Sequence, residues 1–333
     1  MASTIRDVAQ HAGVSIATVS RALREPAVVS PGTRERVQRA VDELAFVPSQ
    51  LGRQLAERRH AANGIVFPDL SGPYYAEVVL GYEEVAAQLG RSVLILSTYG
   101  RQGADDLVQR LAGRCDGLVV LGQTVADDVL ERLAERGTPL VLLARAPVAD
   151  SDLIDSVNAE NTEAARALAR HLAEAGARTV TYVGDPGLTP DLAQRLDGLR
   201  SGAAAHGLEV SVLPPAAMDE NAGTAVAAEL TDLPDAIACA NDELALGLMT
   251  ALRVRGVRVP EDVLVTGWDD VMAARYAGLT TVRQPMRALG ATAARLLDER
   301  ISGARSIPTH QVLPTELVVR SSTGVHHREG TSP

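Results

Sequence analysis

Two spacings of apolar residues divide the chain. Through the first sixty residues the spacing is helical: Ile5, Val8, Ala9 and Ala12 recur at i, i+3, i+4 and i+7 and share one face of a short helix. Thr4 precedes that helix with Asp7 three positions on, a variant of the capping box, and Gly13 stops it. Ser15 caps a second helix in which Val19, Ala22 and Leu23 face the first, leaving Ile16, Ala17, Ser20 and Arg21 on the opposite side. Ser30 and Pro31 form an N-cap and N1 pair for a third helix carrying Val37, Ala40, Val41 and Leu44, which Phe46-Val47-Pro48 breaks. Residues 49–56 have the length for one or two further turns, weakened at Gly52 by about 1 kcal/mol relative to Ala.

From Ala61 the pattern changes to short apolar runs separated by amphipathic stretches. Runs at 64–67, 93–96, 117–121 and 140–143 predict strands, with helices over 74–89, 105–111 and 127–136. A second series follows, with helices over 160–175, 192–206, 224–230, 243–255 and 287–301 and strands at 179–183, near Val210, at 237–240 and at 263–265. Buried strands alternating with helices imply doubly wound parallel sheets. Two such series imply two lobes, with a ligand cleft outside the carboxyl ends of the strands.

The two N-terminal helices and their glycine turn make a helix-turn-helix, whose second helix lies in the DNA major groove. Its outer face suits that place: Ile16 and Ala17 can meet thymine methyls, and Arg21 can fork onto guanine O6 and N7. Thr4, Ser15, Thr18, Ser20, Ser30 and Thr33 complete the expected DNA-binding set. The competing reading is a pair of packing helices in an ordinary helical domain.

Charge follows the same division. Of a formal net charge of −10, nine arginines against six carboxylates give residues 1–60 +3 and leave −13 on 61–333. A basic head on an acidic body concentrates phosphate attraction at one end. The chain contains no lysine, which excludes a P-loop lysine and a Schiff-base lysine. No secretory leader or transmembrane run is read, so the expected location is the cytoplasm, with no membrane partner. Cys115 and Cys239 are expected as buried thiols.

At this point the run from Thr4 to Arg59 resembles the DNA-binding headpiece and hinge of the LacI/GalR family of bacterial transcription regulators, and the similarity extends to about Thr323. The resemblance implies a small all-α headpiece (1–48), a hinge (49–60) and a two-lobed, periplasmic-binding-protein-like α/β core. The lobes would be 61–157 plus 286–312 and 158–285 plus 313–323, with a disordered tail at 324–333 and crossings near 157–158, 281–285 and 313–316. It also implies that Leu55 is wedged into the minor groove from both subunits of a homodimer on a pseudo-palindromic double-stranded operator. Ser49 and Gly52 depart from the Asn and Ala usual in the family's hinge.

The effector contacts implied are Asp69, Tyr74, Tyr75, Arg145, Arg195, Asn241, Trp268 and Asp269. Arg195 belongs to an Arg-Leu-x-Gly segment, Asn241 to Ala-Asn-Asp, and Trp268 and Asp269 to Gly-Trp-Asp-Asp. Alternatives stand for several of them: Tyr74 and Tyr75 as helix-start packing, Arg195 paired with Asp191 or Asp197 on a helix surface, and Trp268 as lobe packing. Asp242 reads as an N-cap. Ala144 replaces the Asp that many relatives carry before Arg145.

Asp69, Asn241, Trp268 and Asp269 favour a neutral sugar as effector, whereas Arg145 and Arg195 would accommodate a sugar phosphate, so a corepressor-dependent regulator of phosphate or nucleobase type is the alternative. Neither a cofactor nor a metal is expected. No G-x-S-x-G, H-E-x-x-H, C-x-x-C or G-x-G-x-x-G occurs, and the expectation is a regulator rather than an enzyme.

Overall fold

A computed structural model describes residues 3–46, 60–148 and 151–324. The chain divides into two units, residues 1–60 and 61–333. Helix α1 (Ile5–Ala12) starts at a complete capping box: the Thr4 hydroxyl accepts from the Asp7 amide, while the Asp7 carboxylate accepts from the Thr4 amide at 2.8 Å. That pairing holds the Asp7 carboxyl below its usual range. Gly13 ends α1 in the left-handed region at φ 63°, a conformation that costs a residue without Cβ little. The turn directs Ser15 into position to cap α2 (Ile16–Arg24).

Helix α3 (Pro31–Glu43) closes the unit, and Val8, Val19, Ala22, Val37, Ala40 and Phe46 fill the space between the three. Ser30 precedes α3 as expected, but its hydroxyl donates to the Thr33 hydroxyl at 3.0 Å instead of capping the backbone. A short 3₁₀ turn at Pro26–Val28 was not anticipated. The predicted hinge, apart from His60, and the tail beyond Gly324 lie outside the described residues, as does Leu55.

The second unit holds two six-stranded sheets. The first comprises β1 (Ala62–Phe67), β2 (Ser92–Ser97), β3 (Gly117–Leu121), β4 (Leu140–Leu143), β5 (Asp155–Ala159) and, from the far end of the chain, β11 (His310–Leu313). All pair in parallel in the order β11-β5-β4-β3-β1-β2. Helices α4 (Pro73–Gln88), α5 (Ala104–Ala112) and α6 (Asp127–Glu135) connect its strands.

The second sheet comprises β6 (Thr179–Val183), β7 (Glu209–Leu213), β8 (Ala236–Cys239), β9 (Leu264–Asp269), β10 (Thr280–Arg283) and β12 (Glu316–Val318). Their order is β12-β10-β9-β8-β6-β7, parallel except for the edge strand β12. Its helices are α7 (Thr162–Glu174), α8 (Pro190–His206), α9 (Glu220–Glu229), α10 (Asp242–Val254) and α11 (Met272–Tyr276).

Helix α12 (Met286–Ser302) returns to the first sheet, packing on α4 and on β3, β4 and β5. The chain therefore passes between sheets three times. The first passage comes later than expected, because β5 keeps Asn158 and Ala159 in the first sheet. Strands β5, β10, β11 and β12 escape the apolar pattern because polar residues fill them. In β5 the buried Asp155 carboxylate is flanked by Arg300 and Arg305, and the Ser156 hydroxyl meets His310 at 2.9 Å. Cys115 and Cys239 are buried free thiols.

The seam between α4 and α12 is a backbone contact made possible by two glycines. A Cβ on Gly81 would lie 2.0 Å from the Arg287 carbonyl oxygen, and one on Gly290 2.0 Å from that of Val78. Neither backbone can yield as a side chain would. Gly290→Ala is therefore expected to destabilise the core by about 1–3 kcal/mol, read as a lower urea midpoint at unchanged m-value. An unchanged midpoint would show that the two helices separate freely.

Candidate functional site

The outer face of α2 is arranged as a reading surface. Val19 and Ala22 are buried against α1 and α3, while Ala17 and Arg21 are exposed and Ile16 is 45% exposed. The Arg21 carbonyl accepts from the Glu25 amide at 2.8 Å, and its guanidinium makes no hydrogen bond or ion pair with the other described residues. Ser15 accepts from the Thr18 amide at 3.1 Å, and the two hydroxyls meet at 2.8 Å. Thr18 and Ser20 are half-buried, and Thr33 is half-buried against Ser30. These hydroxyls are thus held by the headpiece itself, in contrast to the side chains of Ile16, Ala17 and Arg21.

In the core, the loops after the strands bring the second cluster together. Asp69 follows β1 and folds its loop by accepting from the Ser71 amide and hydroxyl at 2.9 and 2.7 Å. Pro73 then starts α4, so Tyr74 and Tyr75 stand in its first turn. They pack edge-to-face, centroids 5.4 Å apart, and Tyr75 packs likewise on Phe67 at 5.6 Å. From the second sheet, α8 presents Asp191 and, one turn on, Arg195. The Arg195 Nε donates to Asn161 at 3.0 Å and Nη1 to the Ala240 carbonyl at 2.7 Å, with the guanidinium 4.6 Å from the Trp268 ring centroid.

Trp268 and Asp269 end β9. Asp269 adopts φ 117° and Asp270 φ 59°, a left-handed pair of non-glycine residues that costs roughly 1–3 kcal/mol each. Gln284 compensates: its side-chain amide donates to the Asp269 carboxylate at 2.5 Å and its backbone amide to the Asp269 carbonyl at 3.3 Å. Behind them sits the fully buried Asp242, accepting from the Thr281 hydroxyl at 2.6 Å and the Val271 amide at 2.9 Å. Glu243, next in α10, reaches the opposite lobe, since a Cβ on Gly72 would lie 2.7 Å from its Oε1.

Electrostatically the two lobes face each other here. Burial raises the Tyr74 hydroxyl, with Asp191 and Asp269 of the other lobe adding to the shift. Burial also raises Tyr75, helped by Asp69, Asp269 and Glu243. The same desolvation lifts Asp191, Glu243 and, most strongly, Asp269, where Arg195 opposes the shift and Asp242 and Glu243 reinforce it. Within this cluster Trp268 Nε1, Glu243 Oε2 and Gln284 Oε1 are buried without a hydrogen-bond partner among the described residues.

Residues 4–49 match the family described as bacterial regulatory proteins, lacI family, and residues 169–323 match a periplasmic binding protein-like domain. The chain is 34% identical to the HTH-type transcriptional regulator CelR of Thermobifida fusca, over 96% of this chain and 98% of that one. This chain belongs to the lacI family. A second relative, the HTH-type transcriptional repressor CytR of Escherichia coli strain K12, is 30% identical over 97% of this chain and 96% of its own. Among solved structures, a CelR–cellobiose complex shares 33% identity at a TM-score of 0.70, covering 96% of this chain and 99% of that one. A lac repressor dimer bound to operator and the anti-inducer ONPF shares 27% identity at a TM-score of 0.84, covering 97% and 99%. This lacI-family member is a DNA-binding transcription regulator with a two-lobed core.

Against the expected contact set, the structure brings Asp69, Tyr74, Tyr75, Arg195, Trp268 and Asp269 into one cluster where the two lobes meet. Arg195 is buried beside Trp268, which sets aside the helix-surface pairing. Two expected contacts are otherwise engaged. Arg145 is 1% exposed and donates to the Gly122 and Val125 carbonyls and to Asp127, tying the loops after β3 and β4 together. Asn241 is itself the cap of α10: its oxygen accepts from Leu244 at 3.0 Å and its amide donates to Met218 at 2.8 Å. That makes Asp242 the first helical residue and a buried knot instead of the cap. Asn161, Asp191, Glu243 and Gln284 were missed; the signal available for Gln284 was its position at a lobe crossing.

Among the described residues no helix is long and apolar enough to cross a membrane, and no group of three or more His, Cys, Asp or Glu is placed to hold a metal ion.

Burial and the neighbouring carboxylates raise Asp242 from 3.8 to about 7. The folded state therefore holds this proton more tightly than the unfolded chain, so its stabilising contribution is complete below pH 3.8 and is lost as the pH rises to about 7. Asp242→Asn removes that loss. Relative to the variant, the wild type should lose stability on the order of a few kcal/mol across that interval in pH-dependent urea unfolding. Parallel profiles would show that Asp242 titrates alike in the folded and unfolded states.

Proposed function

We propose that the protein is a homodimeric repressor of a carbohydrate-use operon, binding a pseudo-palindromic operator with an affinity that is switched by a saccharide held between the core lobes. The observation that carries the effector half is the opposition of the Tyr74–Tyr75 pair to Arg195, Trp268, Asp269 and Gln284. Aromatic faces cover the apolar face of a sugar ring, while a carboxylate, an amide and a guanidinium edge receive its hydroxyls. The solved complex of the related CelR with cellobiose and the relative named as a ribose operon repressor in Halalkalibacterium halodurans support the same class of ligand.

The phosphate alternative loses its main support, because the Arg145 guanidinium is already engaged with Asp127 and two carbonyls. The headpiece carries the DNA half: α2 presents Ile16, Ala17 and Arg21 outward, and the lac repressor of similar fold is bound to operator as a dimer. Effector control then follows from linkage. A sugar that prefers one lobe arrangement shifts operator affinity by about 5- to 150-fold for a coupling of 1–3 kcal/mol.

Fluorescence anisotropy with the protein's operator, with and without sugars, tests the reading. Asp269→Ala should bind operator as the wild type does and lose the sugar response; a full response in that variant would place the effector elsewhere. Arg21→Ala should cost about 1–3 kcal/mol and relax preference at one base pair per half-site. If the base preference in a substituted operator series stays unchanged, Arg21 is not the reader.

A further inference from the structure

A cavity of about 330 Å³ lies where the chain makes its second passage between the lobes, and residues of both lobes line it. Glu77 on α4 and the first turn of α12, with Arg287, come from the first lobe. Asp270 after β9, Arg275 on α11 and Arg283 on β10 come from the second. The volume falls within the range of small-molecule sites.

The two carboxylates of this cavity are already held. Asp270 accepts from Arg283 Nε at 2.7 Å and from Arg320 Nη2 at 2.5 Å, and Glu77 accepts from Arg287 Nε at 2.5 Å. The cations are not used up. Arg287 keeps both Nη atoms without a partner among the described residues, and the Arg275 guanidinium, exposed, makes no hydrogen bond or ion pair with any of them. Helix α12 starts at the same cavity with no side chain capping its first turn, so its leading amides and the positive end of its dipole face that space. Gln284, 4% exposed, lines the cavity too; its nitrogen holds Asp269, while its oxygen is buried without a partner among the described residues.

Three arginines against two paired carboxylates leave one net positive charge, and the helix start adds about half a charge more. The free donors stand on separate elements, α11 and α12, so the matching ligand is an anion with oxygens turned several ways at once. A carboxylate has two oxygens in one plane, whereas a phosphate group has three or more arranged tetrahedrally and suits guanidinium forks and a helix start together. We infer that this cavity is a phosphate site apart from the effector cluster, taking free phosphate or the phosphate group of a small metabolite between Arg275, Arg287 and the start of α12. A hydroxyl of the bound molecule donates to Gln284 Oε1, and Arg283 stays on Asp270 and Glu316 and lends its charge. Because Arg287 belongs to the first lobe and Arg275 to the second, the bound anion fastens one lobe to the other, and the Gln284–Asp269 hydrogen bond joins that site to the effector cluster. The inference does not depend on what the effector is.

Isothermal titration calorimetry on the full-length protein in phosphate-free buffer tests this with inorganic phosphate, glucose 6-phosphate and glucose. A phosphate is expected to bind saturably, with an affinity that falls as salt is raised. Arg275→Gln and Arg287→Gln should each weaken that binding about 10- to 100-fold, the size of one charge-assisted interaction. Operator affinity without phosphate should stay at the wild-type value in both variants, which separates loss of the site from loss of the fold. Tighter binding of glucose 6-phosphate assigns the site to a phosphorylated metabolite, and equal or tighter binding of inorganic phosphate assigns it to the free anion. The inference is overturned if glucose binds as tightly as glucose 6-phosphate, if phosphate binding persists unchanged in both variants, or if neither phosphate gives heat in protein that still binds operator.

Discussion

The buried Asp242 carboxylate holds the ligand side of the second lobe together. One oxygen takes the Thr281 hydroxyl of β10 and the other takes the Val271 amide after β9, so a helix start, a strand and a loop are joined through a single side chain. The knot leaves no room in β9, where a Cβ on Gly267 would lie 2.2 Å from Asp242 Oδ1. With β9 pinned at that point, Trp268 and Asp269 emerge in fixed directions, and the left-handed turn at Asp269 and Asp270 is held from both sides. Such backbone strain persists only where its surroundings over-determine it. Removing the knot would free the turn before it touched any ligand contact.

The first lobe solves a different problem, that of accepting a chain segment from far along the sequence. Strand β11 and helix α12 belong to it although they follow the entire second lobe. Asp155, flanked by Arg300 and Arg305, joins β5 to that returning segment, and Gly81 and Gly290 let α12 lie directly on α4. A buried carboxylate paired with two arginines is costly to break, because losing either partner leaves a charge in low dielectric. The returning segment is thus held in the first lobe by a polar lock, whereas β1, β3 and β4 are ordinary apolar packing.

The physical origin of each signal explains what could be read from the sequence. The headpiece was legible nearly in full, because capping residues, the Gly13 stop and helical spacing are local and each has one dominant structural solution. The apolar strands β1, β3, β4, β6 and β8 were legible for the same reason. Strand β5 was not, since Asp-Ser-Val-Asn-Ala becomes a buried strand only once Arg300, Arg305 and His310 arrive from 150 residues away or thereabouts. In the cleft, Arg195, Trp268 and Asp269 could be placed from short segments resembling the family. Asn241 and Arg145 could not be resolved this way. An asparagine before a helix caps it or meets a ligand with the same atoms, and a strand-end arginine serves loops as readily as substrate. Only the partners decide, and those partners lie in other segments.

The distribution of buried carboxylates gives the cleft its character. Asp155 and Asp242 are buried more deeply than Glu243, yet Asp155 has two arginines and Asp242 has a hydroxyl and an amide. Glu243 keeps one oxygen unpartnered, while Asp191, bonded to Asn161, and Asp269, bonded to Gln284, share the field of Arg195. An unpaired buried polar atom costs about 1–3 kcal/mol, so Glu243 Oε2, Gln284 Oε1 and Trp268 Nε1 leave a hydrogen-bonding deficit at the lobe boundary. A ligand that relieves the deficit draws groups from both lobes onto itself, because Tyr74, Tyr75 and Asp69 stand on one side and Asp191, Glu243 and Asp269 on the other. Occupancy therefore favours whichever lobe arrangement brings the two sides together. That differential affinity is the requirement for a ligand to shift a conformational equilibrium at all.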